Sequence, residues 1–190
     1  MPCVAARASH PGFAAGVLAD AGVTAAFRGE RHEFHSRLDA LLQILRLAAT
    51  SDAFAGQIAY RAKAALQRRR VPVLPRLMQR LAIASAGIYI GDEAVVQPGL
   101  YVVHGQVVID GPVRVAAGAV LFPSVTIFAP RGGPPARIGP AASVGTGARV
   151  LGSVTVGARA EIGAGAVVVE DVAEGATAVG IAPGSAPERP

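Results

Sequence analysis

His104 stands in the stretch GLYVVHGQVVIDG (Gly99 to Gly111), whose surroundings are apolar but for Gln106 and Asp110. An imidazole titrates near neutrality, so a histidine in such a place can move a proton. Alternatively, its ring is satisfied by a neighbouring carbonyl and is structural. His10, His32 and His35 lie in the N-terminal third and are expected to be solvent-exposed. Asp110 is read as a turn residue, and Asp171 as one that helps the chain leave its last repeat. A lone Cys3 gives neither a disulfide framework nor a thiolate metal site, which fits a reducing cytoplasm. The basic cluster Arg68, Arg69, Arg70, Arg76 and Arg80 is read as the wet face and ends of helices, with phosphate or subunit contacts as the alternative.

The elements that position these residues follow from the pattern around them. Hydrophobic residues make up 52% of the 190 residues but aromatics only 5%, and Trp is absent, so the core must be built in narrow layers of Ala, Val, Leu and Ile. The net charge of +5 suits phosphate-bearing small molecules. No basic helix interleaved with stacking aromatics points to nucleic acid. The alanine-rich start has no clean basic region and is broken by His10, Pro11 and Asp20, so it does not read as a signal peptide. No uncharged apolar run is long enough to span a bilayer, so the chain is expected to be soluble and cytoplasmic.

Residues 1–32 carry no periodic signal and are expected to be a poorly ordered arm. Residues 33–86 turn helical. RLDALLQILRLAA places Leu38, Leu41, Leu42 and Leu45 on one stripe, and a second helix begins at a Thr50 or Ser51 cap before Phe54, Ile58 and Ala65. Pro72 and Pro75 break the run, and a third helix over roughly 75–84 ends near Gly87.

From Ile90 onward a branched aliphatic recurs every six residues: Ile90, Val96, Val102, then Ile109, Val115, Leu121, Ile127, then Ile138, Val144, Val150, Val156, Ile162 and Val168. Four positions after most of these comes a small or branched apolar residue, as at Ala94, Val113, Ala119, Val125, Ala142, Ala148, Val154, Ala160 and Ala166. A period of six is neither helix nor simple alternation. It is the signature of a parallel β-helix, in which each hexapeptide forms one strand and one corner of a triangular coil. About four coils are expected over residues 87–172, with a C-terminal tail over 173–190. The register slips twice, once at the turn holding His104 and once at FAPRGGPPAR, read as an extruded loop over 128–137.

Hexapeptides of the form Ile-Gly-x-x-Ala-x resemble the left-handed β-helix acyltransferases. FAGQIAYRAKAAL, LAIASAGIYIG, the His104 stretch, SVTI, GTGARVLGSVTVGARAEIGAGAVVVEDV and GATAVGIAP resemble serine acetyltransferases in particular, over residues from about 52 to 184. The resemblance implies a mainly β fold, a left-handed parallel β-helix preceded by a short α-helical segment, with a handedness opposite to the usual crossover rule. It also implies an acetyl-CoA-dependent O-acetyltransferase, a homotrimer or dimer of trimers, acetyl-CoA as co-substrate in the groove between prisms, and no metal. The short helical segment suggests the smaller assembly. Neither nucleic acid nor membrane is an expected partner.

In that family the histidine matched by His104 is the general base for the acceptor hydroxyl, and backbone N–H groups at the glycine-rich corners are candidate oxyanion donors. The pantetheine arm packs on small residues that correspond to Gly145, Thr146, Gly163 and Ala164, while Arg149 and Arg159 are candidates for the CoA phosphates. The chain also departs from the family. The aspartate that orients the histidine falls at Tyr89, the one before the histidine is Val103, and the second active-site histidine gives way to Pro134 or Pro135 in a shorter loop. Arg131 or Arg137 is left to meet a substrate carboxylate, and Asp92 or Glu93 to reach His104. The chain ends APERP without the terminal Ile that docks a sulfhydrylase, so that complex is not expected. Two alternatives follow from the departures: acylation of a sugar or specialised-metabolite hydroxyl or amine, or a catalytically degenerate β-helix assembly module.

Overall fold

The computed structural model describes residues 10–181, so Cys3 and the terminal APERP lie outside the described residues. Four helices come first: α1 (Phe13–Phe27), α2 (Arg37–Thr50), α3 (Asp52–Arg68) and α4 (Leu74–Ala86). Each of α2 and α3 starts where a serine side chain accepts an early helical N–H. Ser36 takes that of Asp39 and Ser51 that of Phe54, which settles the Thr50 or Ser51 choice. Gly87, in the left-handed conformation, ends α4.

The helix α1 corrects the expectation of a poorly ordered arm for its residues, Phe13–Phe27, while residues 1–9 lie outside the described residues. Its buried positions, Gly16, Val17, Asp20, Ala21, Thr24 and Ala25, are helically spaced, but small and polar residues fill most of them, so no hydrophobic stripe marks them in the sequence. Val17, Ala21 and Ala25 pack with Leu47 of α2 and Phe54 of α3 in a small core of their own. The leucine stripe of α2 faces outward. Leu38, Leu41, Leu42 and Leu45 are exposed, because α2 turns its Ala40, Gln43 and Leu47 face to the other helices.

Beyond Gly87 the chain coils into three parallel sheets that form the faces of a prism. Face A holds β1 (Tyr89–Ile90), β4 (Val108–Asp110), β7 (Thr126–Phe128), β10 (Arg149–Leu151) and β13 (Val167–Val168). Face B holds β2 (Val95–Val96), β5 (Val113–Val115), β8 (Ala136–Ile138) and β11 (Thr155–Val156). Face C holds β3 (Tyr101–Val102), β6 (Val120–Leu121), β9 (Ser143–Val144), β12 (Glu161–Ile162) and β14 (Thr177–Ala178). This is the left-handed β-helix that the hexapeptide pattern and its resemblance imply.

The register explains the six-residue period. Ile90, Ile109, Ile127, Val150 and Val168 are partners in adjacent coils, and so are Val102, Leu121, Val144, Ile162 and Ala178. Every aliphatic of the repeat is buried, and the small residues four positions later fill the corners. Each fully buried Val or Ile contributes roughly 1.5–3 kcal/mol, so the stacked columns supply most of the hydrophobic stabilisation. The solenoid has about five turns rather than four. It continues through β14 and a bridge from Val167 to Ile181, which removes the start of the expected tail. The extruded loop is shorter than 128–137, since β7 claims Phe128 and β8 claims Ala136 to Ile138.

The first coil has no coil before it, and its free edge is capped by helix side chains. From α3, Gln57 donates to Leu100 O, Arg61 to Val96 O and Gln97 O, and Lys63 to Ile90 O, while Gln79 of α4 donates to Ile88 O. Asp20 of α1 accepts the N–H groups of Gly99 and Leu100.

Candidate functional site

The turns that lead from face C to face A stack into one corner of the prism. His104 lies in the first of them, between β3 and β4, and the turn after β9 holds Gly145 and Thr146. The turn after β12 holds Gly163 and Ala164. Hydrogen bonds tie these turns together from coil to coil: Ser124 Oγ donates to Gln106 Oε1 (3.1 Å), Gly147 N to Pro123 O (2.9 Å) and Gly165 N to Thr146 O (2.8 Å). The corner therefore carries the histidine and the small residues along one edge, with Arg149 exposed on the adjoining face A.

The extra residue in its turn puts His104 outside the aliphatic stack. It is exposed, and among the described residues its ring has no hydrogen-bond partner. Gly105, next to it, has a φ of +97°, and a Cβ there would lie 2.1 Å from Ala86 O. Only glycine fits, so the backbone beside His104 is fixed by the end of α4.

The glycines of the corner have a structural explanation of their own. A Cβ on Gly145 would stand 2.7 Å from Ile162 O and 2.8 Å from Ala164 N, in the backbone of the next coil. A Cβ on Gly163 would stand 2.9 Å from a Val179 methyl. Thr146 and Ala164, by contrast, are exposed, so the small outer profile of the corner depends on them. The N–H groups of Gly145, Gly147, Gly163 and Gly165 all donate between coils, which leaves the other N–H groups of the corner as the candidate oxyanion donors. The N–H groups of His104 and Gly105 are not used in this way.

Tyr89, Asp92 and Arg131 assemble elsewhere. They line a cleft at the other edge of face A together with Glu93 and Asp110. Asp92 is held by Lys63 Nζ and Gln67 Nε2, each at 2.8 Å. Glu93 pairs with Arg131 Nε at 3.4 Å, and Asp110 lies 3.8 Å from Arg131 Nη2. Neither acid orients His104 within the chain, which corrects that expectation: both are engaged by cations of the cleft. The Tyr89 hydroxyl has its pKa raised by burial and then by the carboxylates of Asp110 and Asp92. Arg137 points outward from face B and Arg159 pairs with Glu174, so neither joins the His104 corner.

The capping set Asp20, Gln57, Arg61, Lys63 and Gln79 was absent from the sequence-based candidates. The signal was present in the helical spacing of Gln57 and Arg61, four apart, on a helix whose other buried positions are largely apolar. His10 also departs from expectation. It is only 4% exposed, its ring sits edge-on to Tyr60 at 6.4 Å, and its carbonyl accepts from Arg68. Among the described residues no helix is long and apolar enough to cross a membrane, and no group of three or more His, Cys, Asp or Glu is placed to hold a metal ion.

No family model matches the chain. A serine acetyltransferase of Helicobacter pylori is 35% identical over 127 residues, covering 65% of this chain and 74% of that protein. Among solved structures, serine acetyltransferase 1 of Entamoeba histolytica in complex with L-cysteine superposes with a TM-score of 0.64 at 24% identity, over 85% of this chain and 61% of that one. A serine acetyltransferase in complex with CoA gives a TM-score of 0.66 at 21% identity, over 84% of this chain and 64% of that one. The chain thus spans less than two thirds of the length of these two solved enzymes.

Proposed function

Because the chain belongs to the serine acetyltransferase family, we propose that it transfers the acetyl group of acetyl-CoA to the hydroxyl of serine, with His104 as general base. The observation that carries this reading is the shared corner: the exposed imidazole stands at one end of the edge on which Thr146 and Ala164 keep the outer profile small. A pantetheine arm lying along that edge brings the thioester toward the ring, and Arg149 on face A is the cation for a CoA phosphate. The N–H groups of His104 and Gly105 are the donors for the oxyanion.

His104 accepts the hydroxyl proton as the oxygen attacks the thioester carbonyl, and the tetrahedral intermediate then collapses with cleavage of the C–S bond. The sulfur leaves as a thiolate and takes the proton back from the imidazolium. General-base help of this kind is worth about a hundred- to ten-thousandfold. Among the described residues no carboxylate of the same chain orients the ring, and in this reading a neighbouring chain supplies the rest of the site. Arg131, at the other edge of face A, is the group that a corner-to-corner trimer would bring to His104 and the substrate carboxylate.

The assembly is a homotrimer in this reading, and the exposed leucines of α2 favour pairing of two trimers rather than the smaller assembly. One of them, Leu41, lines an apolar groove of about 660 Å³ together with Phe13, Leu18 and Phe34. Cytoplasmic localisation belongs to the same reading.

The test is release of free thiol from acetyl-CoA by the purified protein and by His104→Ala, with serine, homoserine and simple sugars as acceptors. Serine-dependent release that falls at least a hundredfold in the variant supports the proposal. Release with a sugar alone moves the acceptor class. Absence of both release and CoA binding identifies an assembly module.

A further inference from the structure

The cleft at the far edge of face A is larger than the ion pairs within it require. It measures about 900 Å³, within the range of small-molecule sites and well above the size of a single inorganic ion. One wall is the turn between α3 and α4 and the first turns of α4, which present Arg70, Arg76 and Arg80. The opposite wall is the lip of the first two coils, with Asp92, Glu93 and Asp110.

The two walls differ in how their charges are met. The carboxylates are answered locally, Asp92 by Lys63 and Gln67 and the other two by Arg131. Lys63 and Gln67 are themselves buried, at 3% and 8% exposure, so the floor of the cleft is a built polar surface rather than a loose rim. The guanidinium groups of Arg70, Arg76 and Arg80 have no carboxylate or other hydrogen-bond partner among the described residues. Three guanidinium groups that line one side of a cleft, without a partner among the described residues, have the chemistry to meet a tetrahedral oxyanion, which arginine recognises with paired N–H donors.

The turn that carries this wall is held in a disfavoured conformation. Val73, a β-branched residue, has φ 68° and ψ −55°, with Leu74 N–H donating to Pro72 O at 2.8 Å, and Arg70 has φ 56°. A relaxed turn would place Arg70 and Arg76 differently, and strain of this kind concentrates at ligand sites.

The geometry points to a second binding site in this cleft, for a phosphorylated small molecule that also carries hydroxyl groups. The phosphate meets Arg70, Arg76 and Arg80, and the hydroxyls donate to the carboxylates of the facing wall. A bare polyanion would meet those carboxylates unfavourably, and a neutral sugar would leave the arginines without a partner. The cleft lies on a different edge of the prism from the corner assigned to CoA and shares Arg131 with the acceptor side of the proposed acetyl-transfer site; the arginine wall takes no part in that reading, so phosphate binding there can fail while acetyl transfer stands, and the reverse.

The test is calorimetric titration of the intact protein with ribose 5-phosphate, ribose and inorganic phosphate, each repeated with saturating CoA present. The expected result is saturable binding of ribose 5-phosphate, tighter than ribose or inorganic phosphate and unchanged by CoA. Arg76→Gln/Arg80→Gln should weaken it about tenfold or more, with the far-ultraviolet circular dichroism of the parent. Arg70→Gln, on the turn rather than the helix, should weaken it independently. Failure of ribose 5-phosphate to saturate, equal binding by the variants, or displacement by CoA would each overturn the site. Displacement would also reassign the cleft to the phosphates of CoA itself.

Discussion

Asp20 and Arg61, forty-one positions apart, form a buried two-pronged ion pair, with Oδ2 to Nε at 2.8 Å and Oδ1 to Nη2 at 2.9 Å. The pair is not isolated. Arg61 also donates to the carbonyls of Val96 and Gln97, and Asp20 accepts the N–H groups of Gly99 and Leu100, so together they complete the open edge of the first coil. Such an edge, left bare, is a row of unpaired backbone groups. Removing one partner of a buried pair leaves an uncompensated charge, which costs about 3–5 kcal/mol. Asp20→Ala should therefore lower the urea midpoint by an amount equivalent to that loss. A midpoint shift worth less than about 1 kcal/mol would mean that α1 is dispensable to the prism.

His10 gives the fold a pH dependence of known sign. Burial, followed by the charges of Lys63, Arg61, Arg114 and Arg68, lowers its pKa from 6.5 to about 4. Between these values the unfolded chain binds a proton that the folded chain refuses. The contribution is thus fully present above about pH 6.5 and is lost as pH falls toward about 4, up to about 3 kcal/mol in total. His10→Phe keeps the edge-on packing against Tyr60 and removes the titration. Measured at pH 7 and again at pH 5, the unfolding free energy should fall by about 2 kcal/mol more in the parent than in His10→Phe. Identical slopes in the two proteins would place the pH dependence elsewhere.

Gly105 and Gly147 separate two reasons for a glycine. Both have positive φ, but a Cβ on Gly105 meets the Ala86 carbonyl at 2.1 Å, whereas one on Gly147 meets nothing within 4 Å. Backbone cannot give way as a flexible side chain can. Gly147→Ala should cost about 1 kcal/mol, the conformational penalty alone. Gly105→Ala should cost about 3 kcal/mol or more and separate α4 from the His104 turn. Thermal unfolding of the two variants side by side measures the difference, and equal costs would refute the close approach.

The prism was legible because its physics repeats. Each inward aliphatic sits six residues from the next and buries the same side-chain surface against the coil beside it, so Ile90 to Val168 announced the fold and its register. The helix α1 was not legible, since Gly16, Ala21 and Ala25 permit close packing without a hydrophobic stripe, and Asp20 is buried for its charge. The stripe Leu38, Leu41, Leu42 and Leu45 was legible as an amphipathic pattern, but its partner is not found among the described residues. The position of His104 followed from one extra residue in a turn. Which groups meet it did not, because Asp92 and Arg131 are committed to each other's neighbours at a different edge.

Thr146 offers the sharpest separation of ligand contact from structure at the His104 corner. Gly145, beside it, cannot report on CoA, because any side chain there strikes the next coil at 2.7 Å and lowers stability whatever the ligand does. Thr146 is exposed on the outside of the same turn, so Thr146→Trp should change stability by no more than about 0.5 kcal/mol. A pantetheine arm that runs along this edge would nevertheless lose its contact surface to the indole. CoA affinity should then fall about tenfold or more at unchanged unfolding temperature, and Arg149→Gln should weaken CoA by a smaller factor through a lost charge-assisted hydrogen bond. Calorimetric titration of the parent and of each variant with CoA reads both. If Thr146→Trp binds CoA as the parent does, the edge from His104 to Ala164 is not the track of the cofactor, and the small residues there serve only the stacking of the coils.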